Sequence, residues 1–500
     1  MTGRKVGWDE KAPAPASALS CRDRMLKHIR QAAIAASLLF SGVSEAQCPN
    51  VLTPSYPAPV VGDGYAAQLI VSGLSKPRGI IFDSNGALLV VQAGTGILHL
   101  SLDDHGGTCL QSGKTVNLIN NTDLNHGIEL SSDGKTLYAS SSNEVYSWAY
   151  NPDTVSVSSQ RTLITNMSNS DHVTRTLLLS RKMPGLLVVS RGSGENMDYS
   201  ALKASSGVSQ IRVFNIANTT GKAYNFANEG ELLGWGLRNS VGVAEHPVTG
   251  GIFSVENSAD NIERMGTDIH EDDPGEEMNF HGYLNYSAGY RGGNYGYPNC
   301  FALWDTEIPQ VGNMKVGSQF ALNNTSTLND TTCANDYIAP RLTFAAHMAP
   351  LDIKFDANGA LAYVTFHGSW NRELPQGYKV SVIPFVEGQP AAPSNSTTAA
   401  VDILSNPDTR QCPGNCFRPV GLAFDSQGRI FMSSDSTGEI YVLRRTQSAT
   451  TTTATASGSG TTVTSTSSSS STPTNAGPRV TPSQVLQTLF VVFMVLFSYG

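Results

Sequence analysis

The sequence contains few charged residues and no sustained basic run. Its 500 residues include 33 Lys or Arg and 41 Asp or Glu, so charged residues make up 15% of the chain and the formal net charge is −8. Proteins that bind nucleic acid usually carry a concentrated basic patch. We therefore predict that nucleic acid is not a partner of this protein.

Several common cofactor and catalytic motifs are also absent from the sequence. It has no glycine-rich dinucleotide fingerprint after a first strand, no Walker A loop and no His-Glu-x-x-His pair. The segment Gly192-Ser193-Gly194 does not match the Gly-x-Ser-x-Gly elbow of hydrolases. These absences disfavour a nicotinamide- or flavin-dependent dehydrogenase.

The sequence also lacks sustained helical periodicity. It instead repeats a pattern typical of a β-hairpin. Each copy is a short apolar strand, an Asp/Asn/Gly turn and a second apolar strand, and further alternating segments give about four strands per unit. The pattern predicts an all-β fold, a six-bladed β-propeller of four-stranded antiparallel blades over 47–446. A sandwich of similar hairpins is the alternative. The six copies begin near Pro77, His126, His172, Arg238, Pro350 and Arg418.

Closure of such a propeller would bring the starts of the copies together around one axis. Three arginines and two histidines stand at these starts, a composition suited to a ligand with several negative charges. We expect a single pocket there. Its predicted lining is Arg78, His126, His172, Arg238, Asn239, Ala349 and Arg418.

Both ends of the chain carry targeting features. Within 1–46, a basic stretch after Met25 and a short apolar stretch precede small residues, which predicts an N-terminal extension followed by a secretory signal peptide. Residues 447–477 are mostly Ser, Thr, Ala and Gly, which is typical of an O-glycosylated stalk. Residues 478–500 end in an apolar stretch without a charged flank, and this order predicts a glycolipid-anchor signal rather than a membrane helix. The expected location is therefore the cell surface, on the plasma membrane or cell wall, with membrane contact through a lipid anchor only.

The cysteines agree with secretion. Removing a leader that contains Cys21 leaves six of the seven cysteines, which predicts three disulfides. The sequence alone permits many pairings, and pairing between sequence neighbours is favoured: Cys48–Cys109, Cys300–Cys333 and Cys412–Cys416. Eight glycosylation sequons add to this interpretation; they begin at Asn120, Asn166, Asn218, Asn285, Asn323, Asn324, Asn329 and Asn395.

Six motifs, in order along the propeller pattern, resemble those of a known family. They are Pro77-Arg78-Gly79, Asp171-His172, Gly236-Leu237-Arg238-Asn239, the run from Asp268 to Asn279, Asn294-Tyr-Gly-Tyr-Pro-Asn, and Phe366-His-Gly-Ser-Trp-Asn-Arg372. Over roughly 60–446 the chain resembles the soluble quinoprotein glucose/sorbosone dehydrogenases, particularly their fungal pyranose dehydrogenases. The resemblance implies pyrroloquinoline quinone (PQQ) and calcium as cofactors and a small sugar as substrate. It also implies an external electron acceptor, such as a cytochrome or a quinone.

The resemblance also implies roles for individual residues. His172 would be the catalytic base with Asp171 beside it, and Arg238 would stabilise developing charge. The cofactor contacts would be Arg78, His126, Arg238, Asn239, Trp370, Asn371, Arg372 and Arg418. From the residues alone, each histidine or arginine has a plainer interpretation as a loop-bonded or salt-bridged group.

For calcium, the resemblance implies main-chain carbonyls of Ser258 and Ala259 as ligands, a donor type that suits this hard ion. The acidic run from His270 to Glu277 is either a second calcium site or a solvated loop. Two other functions stay open from the sequence. One is a calcium-dependent lactonase, which the Arg- and His-rich blade starts disfavour, and the other is a surface propeller that binds glycans or proteins without catalysis.

Overall fold

The computed structural model describes residues 48–217, 221–285 and 292–446. These residues form mostly short antiparallel strands, arranged in six sheets that form the blades of a propeller. The innermost strand of each blade contacts the innermost strands of both neighbouring blades, and the sixth contacts the first. The predicted six-bladed all-β propeller is thereby confirmed.

The first three blades follow one another along the chain, and each repeats an up-and-down meander. Blade 1 consists of Pro77–Phe82, Leu88–Gln92, Gly96–Asp104 and Leu110–Asn120. Blade 2 consists of Leu124–Leu130, Thr136–Ser141, Val145–Asn151 and Ser156–Thr165, with Tyr224–Asn225 at its edge. Blade 3 consists of Leu177–Leu179, Leu186–Arg191, Gln210–Asn215 and Glu231–Trp235, with Gly293–Asn294 at its edge.

The last three blades carry more additions. Blade 4 consists of Ser240–Glu245, Gly251–Glu256, Glu276–Tyr283 and Leu342–Phe344. Blade 5 consists of Pro350–Phe355, Leu361–Phe366, Lys379–Val386 and Val401–Ser405, extended by Val60–Val61 and Gln389–Pro390. Blade 6 consists of Pro419–Phe424, Ile430–Ser434, Glu439–Arg445 and Tyr65–Val71.

The remaining elements are short and lie mainly in the long connections of blade 4. Two small hairpins pair Glu263–Arg264 with Thr267–Asp268 and Cys300–Ala302 with Gln319–Ala321. One α-helix spans Asp330–Asp336, and 3₁₀ turns span Tyr199–Leu202, Ala204–Ser206 and Thr409–Gln411. A long insertion between the second and fourth strands of blade 4 thus carries both hairpins and the helix, and it also supplies the third strand, Glu276–Tyr283.

Close approach between innermost strands explains the glycines in the repeated hairpin. A Cβ atom on Gly79 would lie 2.1 Å from the carbonyl oxygen of His126, and one on Gly127 would lie 2.2 Å from that of Arg175. Hydroxyl groups join the blades at the same level: Ser140 Oγ donates to the Arg175 carbonyl at 2.6 Å and Thr365 Oγ1 to the Val420 carbonyl at 2.7 Å. In both cases the second strand of one blade bonds to the innermost strand of the next blade or to the residues that lead into it.

An apolar cluster closes part of this ring from within. Val241, Leu351 and Val420 lie on the innermost strands of blades 4, 5 and 6, are buried, and pack together. Their contact removes apolar surface from water and fills space between three blades. Leu351 also borders the cavity described below, which therefore has an apolar wall at this point.

The three disulfides pair as predicted, at Cys48–Cys109, Cys300–Cys333 and Cys412–Cys416. Among the described residues, no helix combines the length and the apolar character needed to cross a membrane. The predicted leader within 1–46, the stalk at 447–477 and the anchor signal at 478–500 lie outside the described residues.

Candidate active site

A cavity of 580 Å³ opens where the first strands of blades 3 to 6 begin, a size typical of sites for small organic ligands. Its walls come from residues that precede first strands, such as His172, Arg238 and Arg418, and from residues that follow second strands, such as Ser258 and His367. The lining is mostly polar. It comprises Asp171, His172, Asn196, Arg238, Asn239, Asn257, Ser258, Asp260, Asn261, Glu276, His347, Ala349, Leu351, His367, Gly368, Trp370 and Arg418.

His172 is held in one orientation by Ser193. The Nδ1 atom of His172 lies 2.8 Å from Ser193 Oγ and 3.1 Å from the Ser193 carbonyl oxygen. Because Ser193 Oγ donates its own proton to the Glu195 carbonyl at 2.7 Å, both Ser193 atoms accept from His172. We therefore assign the proton to Nδ1, which leaves the lone pair of Nε2 free.

Asp171 contributes little to this orientation. Its carboxylate is half-exposed and lies 3.9 Å from His172 Nε2, which is beyond hydrogen-bond distance. Burial, and next the positive charge of Arg238, lower the pKa of His172 to about 4, although Asp171 acts in the opposite direction. The imidazole is consequently neutral at ordinary pH and able to accept a proton.

Arg238 is fixed by partners on two sides of its guanidinium group. It donates to Asn196 Oδ1 at 2.8 Å, to the Asn196 carbonyl at 3.1 Å and to Asp260 Oδ2 at 3.0 Å. Its backbone N–H also donates to the buried carboxylate of Glu256 at 2.6 Å. Only 4% of the residue is exposed, so its position is set before any ligand arrives.

Asp260 is shared between Arg238 and His347. Its other oxygen lies 3.2 Å from His347 Nδ1, while His347 Nε2 lies 2.6 Å from the His270 carbonyl oxygen. Burial opposes protonation of His347, but the hydrogen bond to Asp260 and the charge of Glu276 raise its pKa. Both ring nitrogens thus face oxygen acceptors, an arrangement that favours the imidazolium form.

A second polar group surrounds Arg418. Its guanidinium donates to the carbonyls of His367 at 3.1 Å and Gly368 at 2.8 Å, and it lies over the ring of Tyr378. Among the described residues, Arg418 forms no salt bridge with a carboxylate. Arg418 therefore brings a positive charge to the cavity without a directly paired anion.

His367 is oriented by a carboxylate from blade 6. Asp435 accepts from His367 Nε2 at 2.8 Å and from Arg78 Nη1 at 2.6 Å. Burial raises the pKa of Asp435, but its bonds to His367 and the charge of Arg78 outweigh this and hold the pKa well below the usual range. Asp435 is therefore ionised and joins blades 1, 5 and 6 at the cavity.

The structure brings only part of the predicted site together. His172, Asp171, Arg238, Asn239, Ser258, Arg418 and the exposed Trp370 border the cavity. Arg78, His126, Ala259, Asn371 and Arg372 do not. Arg78 lies behind Asp435 and next to His126 Nδ1 at 3.3 Å, and Ala259 is fully buried.

Arg372 is engaged elsewhere, in the acidic run between His270 and Glu277. Its guanidinium donates to Asp272 Oδ1 at 2.9 Å and to the Glu271 carbonyl oxygen. The neighbouring Asn371 has a buried side-chain nitrogen without a hydrogen-bond partner among the described residues. The acidic run therefore binds the chain's own arginine here, and only Glu276 from this run reaches the cavity.

Several cavity residues escaped the sequence analysis. His347 precedes the fifth hairpin copy by three positions, Asp260 directly follows the predicted calcium ligand Ala259, and Glu276 belongs to the acidic run already described. Asn196 had no such signal. Within the described ranges, no group of three or more His, Cys, Asp and Glu side chains is placed to hold a metal ion, which leaves the predicted carbonyl ligands as the site to consider.

The cavity matches the chemistry of a flat, multiply anionic redox ligand. Two arginines and a histidine held between oxygen acceptors provide positive charge, and the exposed ring of Trp370 offers a stacking surface. A neutral histidine with a free Nε2 faces the same space. The residues present therefore fit PQQ, which carries three carboxylates and a pair of carbonyls.

Comparison with known proteins agrees with this geometry. Residues 59–446 match the family model described as TrAA12-like. The chain is 52% identical over 415 residues to a pyrroloquinoline quinone-dependent sugar dehydrogenase of Hypocrea jecorina, covering 82% of this chain and 94% of that protein. It is 39% identical over 415 residues to a pyrroloquinoline quinone-dependent pyranose dehydrogenase of Coprinopsis cinerea, covering 80% of this chain but only 56% of that protein.

Solved structures of similar proteins share the fold. A calcium structure of the Trichoderma reesei carbohydrate-active enzyme of family AA12 has a TM-score of 0.78 and 53% identity, covering 80% of this chain and all of the other. The holo form of the pyranose dehydrogenase PQQ domain from Coprinopsis cinerea has a TM-score of 0.75 and 37% identity, covering 80% and 99%. These matches confirm the family resemblance inferred from the motifs.

The state of His172 can be measured directly. We expect its imidazole in the apoprotein to titrate near pH 4, because burial and Arg238 both disfavour the charged form. The unfolded residue titrates near pH 6.5, so between these values the unfolded chain binds more protons, and this group makes folding less favourable as the pH falls. NMR of isotope-labelled histidine, assigned with His172→Asn, provides the measurement.

Replacing Arg238 by Met supplies the comparison for this titration. Without the neighbouring positive charge, the pKa of His172 should rise towards its ordinary value. A wild-type His172 that titrates between pH 6 and 7, or one that does not respond to Arg238→Met, would contradict the assignment.

Proposed function

This chain belongs to the TrAA12-like family, and we propose from this premise that it is an oxidoreductase that oxidises a sugar with PQQ as its cofactor. The observation that carries the proposal is that His172, whose Nδ1 is bonded to Ser193 and whose Nε2 is free, lines the same cavity as Arg238 and Arg418. A base and fixed positive charges within one cavity are what oxidation of a sugar hydroxyl beside an anionic cofactor requires.

Separate residues of this chain would bind the cofactor, accept the proton and stabilise charge. Among the described residues, Arg418 has no paired carboxylate and would bind a carboxylate of PQQ, and the exposed Trp370 borders the same cavity. When bound, PQQ would supply a quinone that accepts the hydrogen of the sugar C–H bond together with its two electrons. His172 would take the proton of the sugar hydroxyl at Nε2, and the rigidly held Arg238 would stabilise negative charge as it develops nearby.

Calcium is the second proposed cofactor. The carbonyls of Ser258 and Ala259 would hold it, since oxygen donors suit this ion and Ser258 borders the cavity. Its positive charge would add to that of Arg238 at the same wall. The substrate class is a pyranose or a sorbosone-like aldehydic sugar, and an external acceptor such as a cytochrome or a quinone would then remove the electrons.

Reconstitution tests the function. The recombinant chain, loaded with PQQ and calcium, should reduce an artificial dye when aldoses or ketoaldoses are added, and the same protein without PQQ should not. Hydrolysis of lactones in the absence of PQQ would instead indicate the lactonase alternative. Absence of any sugar-dependent dye reduction together with no spectral change of added PQQ would refute the proposal.

Two substitutions separate proton transfer from cofactor binding. His172→Gln should lower kcat by about 10²- to 10⁴-fold, the usual contribution of a general base, with little effect on the affinity for PQQ. Arg418→Met should weaken PQQ binding by about 1.5–3 kcal/mol, the value of a charge-assisted hydrogen bond. The matched controls are the exposed residues His105 and Arg410, as His105→Gln and Arg410→Met, which should change neither quantity.

We also propose that the protein is secreted and held at the cell surface by a glycolipid anchor that replaces residues 478–500, with 447–477 as a glycosylated stalk. The support is the order of small residues, spacer and apolar tail in the sequence. The three disulfides fit an oxidising environment.

Enzymatic release distinguishes the anchor from a membrane helix. Phosphatidylinositol-specific phospholipase C should release the protein from expressing cells, and a variant that ends at residue 477 should appear in the medium. Protein that stays with membranes after phospholipase treatment and dissolves only in detergent would show that the tail is retained.

A further inference from the structure

We infer that Glu276 is a positioning residue that ties together two walls of the cavity, the segment of Ser258 and the segment of Ala349. The inference rests on the proposed function, because it gives these two segments a role in holding the cofactors. Glu276 is the first residue of the third strand of blade 4, and only 3% of it is exposed.

The contacts of Glu276 are divided between the two segments. Its Oε2 accepts the backbone N–H of Ser258 at 2.7 Å, and its Oε1 accepts the backbone N–H of Ala349 at 3.0 Å. Ser258 follows the second strand of blade 4, whereas Ala349 directly precedes the first strand of blade 5. One carboxylate therefore joins two blades at the cavity wall, and it does so through main-chain atoms only.

The Ala349 segment requires such a restraint. His347 and Ala349 have φ values of 63° and 53°, in the left-handed region that residues with a Cβ rarely occupy. Conformations of this kind persist only where surrounding contacts fix them, and they concentrate at functional sites. The ring of His347 is bonded to Asp260 and to the His270 carbonyl, and Glu276 fixes the third residue of the segment.

In the Ser258 segment, the bond to Glu276 would orient main-chain carbonyls for calcium binding. Main-chain carbonyls bind a calcium ion well only if the peptide groups are already oriented, because a mobile loop must be ordered on binding. The bond from Ser258 N–H to Glu276 restrains the peptide that leads into the proposed calcium ligands. Residues that hydrogen-bond to metal ligands without contacting the metal commonly change the affinity for the metal by about 10- to 100-fold when they are replaced.

The adjacent Glu277 offers a control within the same strand. It is equally buried, at 5% exposure, and burial raises the pKa of both carboxyls to about 7. Its carboxylate, however, accepts from Asn279 Nδ2 at 2.9 Å and does not border the cavity. Substitutions at 276 and 277 therefore disturb similar surroundings, but only the first removes bonds to the cavity wall.

The experiment compares Glu276→Gln, Glu276→Asp and Glu277→Gln in the full chain. Calorimetry of the apoprotein with calcium chloride, and then with PQQ in saturating calcium, measures affinity without any turnover. We expect Glu276→Gln to weaken calcium binding by about 10- to 100-fold and PQQ binding in the same direction. The shorter Glu276→Asp can reach only one of the two amides and should be intermediate, whereas Glu277→Gln should resemble the wild type.

Hydrogen exchange followed by mass spectrometry gives a readout that does not depend on the cofactors. In the wild-type apoprotein, peptides containing Ser258 and Ala349 should be protected. Glu276→Gln should accelerate exchange in both peptides at once, and Glu277→Gln in neither.

The possible outcomes separate this inference from the proposed function. If the wild type binds neither calcium nor PQQ, the proposed function is wrong. If the wild type binds both, but substitutions at 276 and 277 weaken binding equally, Glu276 has no positioning role. If Glu276→Gln does not fold, Glu276→Asp decides: unchanged affinity and unchanged exchange at both peptides would overturn the inference.

Discussion

Closure of the ring is the constraint on which the rest of the structure depends. Tyr65–Val71, from the start of the domain, pairs antiparallel with Glu439–Arg445 from its end, so blade 6 is assembled from both ends of the domain. Until that pairing forms, blade 6 lacks its fourth strand, and an open edge is exposed. Once it forms, loops that lie far apart in the sequence face one cavity, and its lining includes His172, Arg238 and Arg418.

Inside the cavity, carboxylates lie between basic side chains and offset the cost of burying them. Arg238 and His347 would repel each other if both were charged and unscreened, and Asp260 lies between them at 3.0 and 3.2 Å. A carboxylate shared in this way costs less to bury than an isolated charge, because each group remains hydrogen-bonded. Asp435 likewise accepts hydrogen bonds from both His367 and Arg78. Two carboxylates thus orient the arginine and histidine side chains at the site.

The sequence predicted the parts that depend on local pattern. Hairpin turns and alternating strands identified six blades. Three of the residues that open a blade copy, His172, Arg238 and Arg418, border the cavity, whereas Arg78 and His126 do not. The features that the sequence did not predict depend on the paths of the long connections between strands. Arg372 is the last residue of a family-like motif but binds Asp272 and Glu271, because the insertion of blade 4 passes beside it. In the sequence, Glu276 is one acidic residue among several. Only its hydrogen bonds to Ser258 in blade 4 and to Ala349 beside blade 5 distinguish it from Glu277.

The low pKa of His172 bears on how the base would work. Burial is its largest cause, and the charge of Arg238 is the next. An anionic ligand beside Arg238 would offset the second cause, so the pKa of His172 would rise when such a ligand binds. By linkage, protonation of His172 and binding of that anion would then favour each other. A base that is nearly always neutral beside an uncompensated Arg238 would become more basic once the anion is present, which suits a group that accepts a proton only in the assembled complex.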